Sequence, residues 1–372
     1  MKQSFCTQSA IVMADDFSVN QYFQQVLSGD TLLRPVSYDE DITGYANKIV
    51  SSFWSQLADK YSEVRSKCAL LCIESISRCG FDPQDPNQLI IVSTTKGDID
   101  LLTEDSFRQT EPPFLLAHIG KQIQKYFKTK VPVLTISNAC ISGSQAIMMA
   151  DGYIKSSLYS TVYVVGVDLF TDFTFSGFYS FKAISDVPCR PFDLERKGIS
   201  LGEGAACIRI SSEQDSFAEN AQIVLKAAAL TNDANHISGP SRDGSGLFQA
   251  IQTCMKKNRK LPDIINLHGT GTLFNDDMEA IAIHRAGLSD TPTFGLKGYC
   301  GHTLGAAGII ESILTLSAMV ANICPPTIGF QHSGTQFHLN ISDQERKIPC
   351  NVAWKSTSGF GGGNCLLVFE KN

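Results

Sequence analysis

Short apolar runs alternate with longer amphipathic segments along most of the chain. Apolar runs of strand length occur at 89–93, 131–136, 161–167, 205–210, 223–230, 264–267 and 366–369. Segments with the apolar spacing of a helix lie between them, at 61–79, 142–156, 247–258, 277–286 and 304–321. Several runs are apolar on both faces, as strands are when helices cover both sides of a sheet. The alternation predicts an α/β fold.

Two of the predicted helices resemble each other in how they begin. Both open from turns rich in Gly or Ser and are lined with small residues, SGSQA at 142–146 and GAAG at 305–308. Small residues allow helices to pack closely. Each turn also carries a reactive side chain, Cys140 in one and His302 in the other. The doubling indicates two similar halves that bring these turns together; ordinary core packing is the alternative.

Composition limits the class of protein. The 372 residues are 43% hydrophobic and 18% charged, which suits a large core and argues against disorder. The net charge of -6 argues against a general nucleic-acid or membrane-surface role, because both need a basic surface. No stretch approaches the ~20 uninterrupted apolar residues of a membrane helix, and the N-terminal residues lack the pattern of a secretory signal. We therefore expect a cytoplasmic protein.

The chain contains 12 cysteines, which we expect to be reduced in the cytoplasm. There is no C-x-x-C pair, and Cys68 and Cys72 have no histidine near them in the sequence, so no metal site is predicted. Most of the thiols are expected to be small buried hydrophobic groups. Cys140 differs because it follows a predicted strand and begins a predicted helix. A helix N-terminus lowers a thiol pKa, so this context predicts a nucleophile.

Two histidines occur in glycine-rich turns. His268 follows the strand at 264–267, and His302 follows Gly301, five residues after Lys297. A single histidine at a strand end is often structural, but two of them together with Lys297 and Cys140 predict a catalytic site. The other five histidines have no such setting and are predicted to be surface or satisfied core groups: His118, His236, His284, His332 and His338.

Taken in order, these motifs resemble the β-ketoacyl-acyl-carrier-protein synthases, the condensing enzymes of the thiolase-like superfamily. The resemblance covers about two-thirds of the chain, from 131 to 369. The motifs that carry it are Asn138-Ala139-Cys140 with Ser142-Gly143, CRPFD at 189–193 through GEGA at 202–205, His268-Gly269-Thr270-Gly271-Thr272 with Asn275, Asp276 and Glu279, Lys297 with Gly301-His302-Thr303 and GAAG at 305–308, and Gly359-Phe360-Gly361-Gly362 with Asn364.

The resemblance implies a five-layered αβαβα fold of two similar halves in one compact catalytic unit. Residues 1–212 would form the half with the nucleophile, and residues 213–372 the half with both histidines. It implies no bound metal and no resident cofactor, because the phosphopantetheine arrives on an acyl carrier protein. It also implies a homodimer, or a heterodimer with a related subunit.

The resemblance also implies residue roles. Cys140 would take an acyl chain from a carrier-protein thioester, while His268 and His302 would stabilise the enolate that forms when the malonyl extender loses carbon dioxide. That carbanion would attack the acyl-Cys140 carbonyl and give a 3-ketoacyl product. Backbone N–H groups of Cys140 and Phe360 would hold the oxyanion at the nucleophile, with Phe360 also acting as a gate. Preorganised donors of this kind are usually the largest catalytic effect.

Other residues receive supporting roles from the same resemblance. Lys297 would order the site electrostatically with Glu279 nearby; a surface lysine is the alternative. Thr270 and Thr272 would donate hydrogen bonds to the phosphopantetheine amides. Structural rather than catalytic roles are expected for Asn275, Asp276 and Glu279.

Details of the motifs indicate a subtype. Initiating synthases carry asparagine where His302 stands, and thiolases end in Cys-x-Gly where this chain has Cys365 followed by two leucines; an elongating ketosynthase is therefore favoured. Ser358 and Gly363 stand where an aromatic residue and threonine are common, next to Phe360, which affects the expected acyl-chain selectivity. The usual Thr-Gly-x-Gly opening is absent, and residues 8–14 are at best a degenerate version of it.

Residues 92–100 (VSTTKGDID) resemble the corresponding segment in ketosynthases of bacterial aryl-polyene and flexirubin-type pigment pathways. This narrower resemblance implies a rigid, unsaturated acyl chain. The alternative is an ordinary strand-to-loop connection with a solvated lysine.

Carrier proteins are acidic, so a chain that is itself net negative needs a local basic patch to bind one. The densest cluster of lysines precedes the strand that leads to Cys140, and Arg196 could add to it. The predicted docking residues are Lys121, Lys125, Lys128, Lys130 and Arg196. A solvated helix face is an equally good interpretation.

Two other functions compete with an active ketosynthase. A non-catalytic chain-length-factor-type subunit of a ketosynthase heterodimer keeps the fold but loses the nucleophile, which the presence of Cys140 argues against. A cysteine thioesterase needs fewer groups than two histidines and a lysine, so it ranks last.

Overall fold

A computed structural model describes residues 2–39, 42–102, 105, 112, 114–218 and 221–372. Its helices are α1 (Val19–Ser28), α2 (Ser51–Lys60), α3 (Lys67–Arg78), α4 (Leu116–Phe127), α5 (Ser142–Lys155), α6 (Asp172–Ser180), α7 (Ser245–Lys257), α8 (Leu273–Arg285), α9 (Lys297–Cys300) and α10 (Ala307–Ala321). Its strands are β1 (Phe5–Val12), β2 (Arg34–Asp39), β3 (Ile42–Asn47), β4 (Gln88–Ser93), β5 (Val133–Ile136), β6 (Thr161–Asp168), β7 (Leu201–Gly202), β8 (Gly204–Ser211), β9 (Ile223–Asn232), β10 (Ile264–Asn266), β11 (Pro292–Phe294), β12 (Ile323–Cys324), β13 (Asn340–Ile341), β14 (Arg346–Lys347), β15 (Val352–Gly359) and β16 (Gly363–Lys371).

The main sheet repeats one topology twice. Its first part has the order β5-β4-β6-β8-β1 and its second β11-β10-β15-β16-β9, so each part reads 3-2-4-5-1 when its strands are numbered along the chain. The inner pairings repeat as well: the first three strands of each row are parallel, and the last two join antiparallel. A short antiparallel pairing of β1 with β9 connects the two parts. The chain therefore consists of two similar halves.

Helices cover both faces of each half-sheet and produce five layers. One outer layer, α3 and α4, packs on the first half-sheet, and α7 and α8 form the other outer layer on the second. The apolar side chains of α5 and α10 fill the middle layer between the two half-sheets. This arrangement confirms the predicted thiolase-like αβαβα fold.

The middle layer depends on the small residues of α5 and α10. A Cβ atom on Gly308 would lie 2.5 Å from the Ser144 backbone nitrogen, and one on Gly143 would lie 2.9 Å from the Gly305 carbonyl oxygen. Backbone therefore touches backbone where the helices begin. The two turns that carry Cys140 and His302 are brought together, as the doubling in the sequence predicts.

All the predicted strands and helices are present, with shifted ends. The first predicted helix begins at Lys67 instead of residue 61, and α8 begins at Leu273, four residues earlier than predicted. Strands β1 and β15 were not predicted, because polar residues interrupt both and find buried partners only in the folded protein. The proposed boundary after residue 212 lies between β8 and β9 and stays a prediction as a domain boundary.

Among the described residues, one helical segment, Leu304–Ala321, is by length and composition apolar enough to cross a membrane. Glu311 interrupts it, so it is not an uninterrupted apolar run of the kind excluded by the sequence. Of its residues, 83% are buried within the protein, where they form the middle layer. A core helix of a folded protein passes the same test.

Candidate active site

Cys140 lies on a sharp turn between β5 and α5. The preceding residue, Ala139, has a φ of 46°, which non-glycine residues rarely adopt and which often marks a functional site. The side chain of Ser142 supports the turn: its Oγ accepts from the Asn138 N–H at 2.7 Å and donates to the Ala139 carbonyl at 2.6 Å. Strand, turn and helix thus hold Cys140 at the helix N-terminus, as predicted.

The pKa of the Cys140 thiol is not lowered overall, contrary to the prediction from its helix position. Burial raises the pKa, and the N–H of Phe360 and the ammonium groups of Lys297 and Lys96 only partly oppose that effect. The side chain is 6% exposed. The sulfur and one ring nitrogen each of His268 and His302 lie within 4.8 Å of one another.

The two predicted histidines face each other at the end of the cavity that contains Cys140. Their ring centroids are 5.1 Å apart and the rings are nearly perpendicular. Both are buried and line the same cavity as the thiol. The structure therefore brings together residues from three separate parts of the chain.

Hydrogen bonds assign the same tautomer to both histidines. The ammonium group of Lys297 donates to His268 Nδ1 at 3.0 Å, and the Leu304 N–H donates to His302 Nδ1 at 3.3 Å. Each neutral ring therefore carries its proton on Nε2. Among the described residues, His302 Nε2 has no hydrogen-bond partner although it is buried. It is a donor that a substrate oxygen can use.

The pKa values of both histidines lie well below their usual range. Burial is the main cause for each, and the neighbouring Lys297 ammonium lowers both further. The imidazoles are consequently neutral at physiological pH and act as N–H donors rather than as cations.

Lys297 is a buried residue rather than a surface lysine. Its ammonium group donates to the His268 carbonyl and to Glu311 Oε1, each at 2.6 Å. Glu279 lies nearby, as expected, on the N–H of His268, but the carboxylate that pairs with Lys297 is that of Glu311. Glu311 takes this role because α10 passes directly behind the two histidine turns.

Glu279 instead holds the turn of His268. One carboxylate oxygen accepts the His268 N–H at 2.7 Å and the other the Gly269 N–H at 2.8 Å. Asp276 accepts the N–H groups of Thr270 and Phe192, and burial raises its pKa to about 7. The side chain of Asn275 donates to both carboxylates. These contacts are those of residues that shape the turn.

Phe360 stands at the cavity with its N–H directed to the Cys140 sulfur. Its ring stacks on Phe178 and meets Phe181 edge-on, with centroids 5.5 Å apart in each case. A Cβ atom on the preceding Gly359 would approach the Cys140 nitrogen to 3.1 Å, so glycine is what allows this strand to lie so close to Cys140.

The cavity has a volume of about 540 Å³ and opens to the surface. Thr270 and Thr272 line it, and their hydroxyls are 2.8 Å apart. Ser358 and Gly363 also line it, next to Phe360. A Cβ atom on Gly363 would lie 2.6 Å from the Ile141 side chain, so the small residues at these two positions shape the space beside the nucleophile.

The segment 92–100 approaches the site from the first half-sheet. Thr95 donates to Asp168 through its N–H and its hydroxyl, and the same carboxylate accepts the Gly305 N–H at 2.7 Å in the turn after His302. Lys96 lies 3.7 Å from Asp168 with its side chain only 17% exposed. The alternative of a solvated lysine is therefore wrong.

The predicted docking residues differ in their surroundings. Four of them are exposed, on α4 or just after it: Lys121, Lys125, Lys128 and Lys130. Arg196 is 5% exposed, and its guanidinium donates to the carbonyls of Asp193 and Gly334. A carrier protein cannot reach Arg196, so its prediction as a docking residue is wrong. Arg196 is buried because its guanidinium also forms ion pairs with Asp276 and Asp277.

No metal site is predicted from the sequence, but three residues of the site could act together as metal ligands. Cys140, His268 and His302 place three donor atoms within 4.8 Å of one another, a set that suits zinc. The ammonium groups of Lys297 and Lys355 act on His268, and their charge disfavours a cation there. The residues fit a site for developing negative charge better than a metal site.

Sequence reasoning missed three polar residues at the site. Glu311 is the one charged residue of the apolar helix α10, and Lys355 is the one charged residue of β15. The sequence could have indicated both, because a single charged residue in an otherwise apolar, buried segment requires a partner of opposite charge. His236, predicted as a surface or core group, lines the cavity.

Comparisons with known proteins agree with this geometry. Residues 91–216 match the N-terminal domain of β-ketoacyl synthases and residues 222–331 match the C-terminal domain. A 3-oxoacyl-[acyl-carrier-protein] synthase 2 of Synechocystis sp. is 32% identical over 63% of this chain and 60% of its own length. The corresponding protein of Rhizobium meliloti is 30% identical over 70% of this chain and 66% of its own. The matched region thus spans less than two-thirds of either relative.

Solved structures show the same fold over the whole chain. A β-ketoacyl synthase from Burkholderia phymatum has a TM-score of 0.86 at 21% identity, covering 100% of both chains. The complex of the ketosynthase ApeO with its chain length factor ApeC from Xenorhabdus doucetiae contains a chain with a TM-score of 0.83 at 24% identity, covering 100% of this chain and 98% of that one. With both family domains matched in order across more than half of the sequence, this chain belongs to the β-ketoacyl synthase family of the thiolase-like superfamily.

Proposed function

We propose that this chain is an active, elongating β-ketoacyl-[acyl-carrier-protein] synthase. The observation that carries the proposal is the placement of two neutral Nε2–H donors, from His268 and His302, around the cavity that contains the Cys140 thiol. A chain-length-factor-type subunit has no use for a nucleophile held in this way. A thioesterase has no use for two donors of the same tautomer.

The first half of the reaction loads the acyl chain. The Cys140 sulfur attacks the carbonyl of the acyl-carrier thioester, and the oxyanion is held by the N–H groups of Cys140 and Phe360. The bond from that carbonyl to the carrier sulfur breaks, and the carrier thiol leaves with the proton that Cys140 gave up.

The second half makes the carbon–carbon bond. The carboxylate of the malonyl thioester leaves as carbon dioxide, and its bonding electron pair moves into the enolate, whose oxygen accepts from His268 and His302. The enolate carbon bonds to the acyl carbonyl, and the bond between that carbonyl and Cys140 sulfur breaks. The product is a 3-ketoacyl thioester on the carrier, and Cys140 leaves as a thiolate that takes up one proton from solvent water. No further cofactor is needed in this sequence of steps.

We propose an acyl carrier protein as the partner and the cavity mouth as its contact. The mouth combines two exposed apolar side chains, Phe181 and Phe274, with the exposed lysines Lys182 and Lys197. An acidic carrier that must insert a phosphopantetheine arm fits a basic, apolar rim. The lysines of α4 are a second candidate contact. In the solved relatives, one ketosynthase is bound to an acyl-carrier protein and others to a chain length factor, so a homodimer and a heterodimer both remain proposals for this chain.

The acyl chain is the finer part of the proposal. The aryl-polyene-like segment at 92–100 and the small residues Ser358 and Gly363 beside Phe360 support a rigid, unsaturated chain rather than the substrates of ordinary lipid synthesis. Loading a panel of saturated and polyunsaturated acyl carriers onto the protein compares the two. Faster acylation by the unsaturated carriers is the expected result, and a preference for saturated chains would contradict it.

The proposed reaction is tested by intact-protein mass spectrometry. We expect an acyl adduct on Cys140 after mixing with acyl-carrier protein, followed by a 3-ketoacyl carrier when malonyl-carrier protein is added. Absence of an adduct would favour the chain-length-factor interpretation. An adduct that yields only free acid would favour a thioesterase. Either result overturns the proposal.

A further inference from the structure

Two fully buried lysines share one carboxylate behind the histidines. Lys297 and Lys355 are each 0% exposed and Glu311 is 1% exposed. The ammonium group of Lys297 lies 2.6 Å from Glu311 Oε1, and that of Lys355 lies 2.6 Å from Glu311 Oε2. Burying a charge is costly unless it is compensated. One carboxylate serving two ammonium groups therefore calls for a functional explanation.

The strand that carries Lys355 aims it at the turn of His268. β15 runs parallel to β10 with Lys355 opposite Asn266, and the Lys355 ammonium group donates to the Leu267 carbonyl at 3.3 Å and to the Ser356 carbonyl at 2.6 Å. Lys297 donates to the next carbonyl, that of His268. The two lysines thus hold successive carbonyl groups of the segment that ends in His268.

The N–H side of this turn is held by an opposite charge. Glu279 accepts the N–H groups of His268 and Gly269 and the hydroxyl of Ser356, the residue after Lys355. Cations therefore hold the carbonyl oxygens and an anion holds the amides. The position of His268 depends on both sets of contacts.

The charges around the two imidazoles come from several elements. The ionisable groups that act on His268 or His302, or hold their turns, are Lys297 on α9, Lys355 on β15, Lys96 after β4, Glu311 on α10, Glu279 and Asp276 on α8, Asp168 on β6 and Cys140 before α5. Asp168 is paired with Lys96. Within the group of Lys297, Lys355 and Glu311, the single carboxylate balances one ammonium group, so Lys355 adds a positive charge that Glu311 does not balance. Glu279 lies on the N–H side of the His268 turn instead.

We propose that Lys355 is a positioning residue for the decarboxylation and condensation steps, acting through His268 and His302. By sharing Glu311 with Lys297 it leaves uncompensated positive charge that keeps both imidazoles neutral and favours the enolate oxygen bound to their Nε2–H groups. This inference rests on the proposed ketosynthase activity. It adds a residue that does not touch the substrate.

The direction of the effect follows from the charges. Burial, Lys297 and Lys355 all contribute to the low pKa values of His268 and His302. Removing the charge of Lys355 raises both pKa values, so the imidazoles become cationic at a higher pH. The thiol responds less, because the cations that lower its pKa are Lys297 and Lys96. Lys355 therefore affects the condensation step and spares the loading step.

The experiment measures kcat/KM against pH for 3-ketoacyl formation and, in parallel, the rate of Cys140 alkylation by iodoacetamide. For Lys355→Met we expect the acidic limb of the condensation profile to move to higher pH by roughly one unit. At a fixed pH on that limb, kcat/KM should fall about tenfold. The alkylation profile should stay where it is. Lys355→Arg keeps the charge and should return the limb toward that of the natural protein.

Folding is controlled in the same series. Lys355→Gln keeps a donor for the Leu267 carbonyl while removing the charge, so it should show the same shift as Lys355→Met if the latter is too unstable to purify. The inference is overturned if a folded, uncharged variant keeps the acidic limb in place, or if loading and condensation fall by the same factor. If the natural protein forms no 3-ketoacyl product at all, it is the proposed function that has failed.

Discussion

The two halves of this protein share a topology and differ in where they place charge. Both have the strand order 3-2-4-5-1 and a small-residue helix in the middle layer. The first half supplies Cys140 from a turn that depends on backbone geometry and a serine hydroxyl. The second supplies two histidines surrounded by Lys297, Glu311 and Lys355. One scaffold thus holds a nucleophile on one side and oriented donors on the other.

This difference suggests a division of the chemistry. Acyl transfer needs a thiol and two backbone N–H groups, which a turn can provide. Stabilising an enolate needs donors kept neutral and fixed, which takes buried charges on several elements. If the chemistry is divided in this way, variants of the first half should affect acyl transfer and variants of the second half should affect condensation.

The strongest test separates the nucleophile from the donors. Cys140→Ala should remove the acyl adduct and lower the rate of 3-ketoacyl formation by about 10³-fold or more. His302→Ala should lower 3-ketoacyl formation by roughly 10²- to 10³-fold, the cost of removing one oxyanion donor, while leaving the adduct detectable. Mass spectrometry of adduct and product distinguishes the two variants.

A matched control is available among the buried thiols. Burial raises the pKa of Cys254 to about 12, and Cys254→Ala should keep both activities. If His302→Ala lost the adduct as completely as Cys140→Ala does, the proposed division between the halves would be wrong.

A second test concerns the contact between the halves. Gly308→Ala places a Cβ atom 2.5 Å from the Ser144 nitrogen, and since backbone cannot yield easily we expect a loss of about 1–3 kcal/mol in the free energy of unfolding. Gly152→Ala, on α5 with nothing within 4 Å of the new atom, should instead gain roughly 0.5–1 kcal/mol. Urea denaturation measures both; equal effects would show that the close helix contact is unimportant.

A third test asks whether charged residues of the first half change the pKa of the Cys140 thiol. Lys96 lowers the pKa of Cys140, and Asp168 raises it. Lys96→Met removes the favourable charge and leaves Asp168, so the thiol pKa should rise and the alkylation profile should move to higher pH. At neutral pH we expect alkylation to slow by roughly 3- to 10-fold. The exposed Lys130 offers a control: Lys130→Met should leave the profile unchanged.

The smallest effect is expected at the surface. Lys182→Glu at the cavity mouth should raise KM for the carrier-bound substrate by roughly 3- to 10-fold and leave kcat nearly unchanged, since it alters encounter rather than chemistry. A double variant, Lys125→Glu with Lys128→Glu, tests the other candidate contact, the lysines of α4. A larger increase in KM for the α4 pair than for Lys182→Glu would place the carrier on α4 instead.

Some of the site follows from local sequence signals. Cys140 could be singled out because its strand–turn–helix setting lies within a few residues, and His268, His302 and Lys297 stand in short glycine-rich motifs. The alternation of strands and helices indicated the α/β class, and the family resemblance that these motifs carry implied the five-layered fold. Local spacing carries this information because turns and amphipathic periods are decided by near neighbours.

Other features depend on contacts between layers. Arg196 is expected at the surface from its charge, yet it is buried, and its guanidinium donates to the carbonyls of Asp193, Gly334 and Leu273. The partner of Lys297 is Glu311, a residue of the middle helix, and not Glu279. The Lys297–Glu311 pair spans 14 residues and the contact of Arg196 with Gly334 spans 138, so neither is indicated by a pattern within one helix or strand.

The sequence by itself determined the family and the fold class, and it predicted the nucleophile and the two donors. The tertiary structure alone decided the tautomers of the histidines, the raised pKa of the Cys140 thiol and the sharing of Glu311 by Lys297 and Lys355. The physical reason is burial: the cost of removing a charge from water, and the partner that offsets it, depend on which layers meet. Those layers meet only when the two halves of the chain pack against each other.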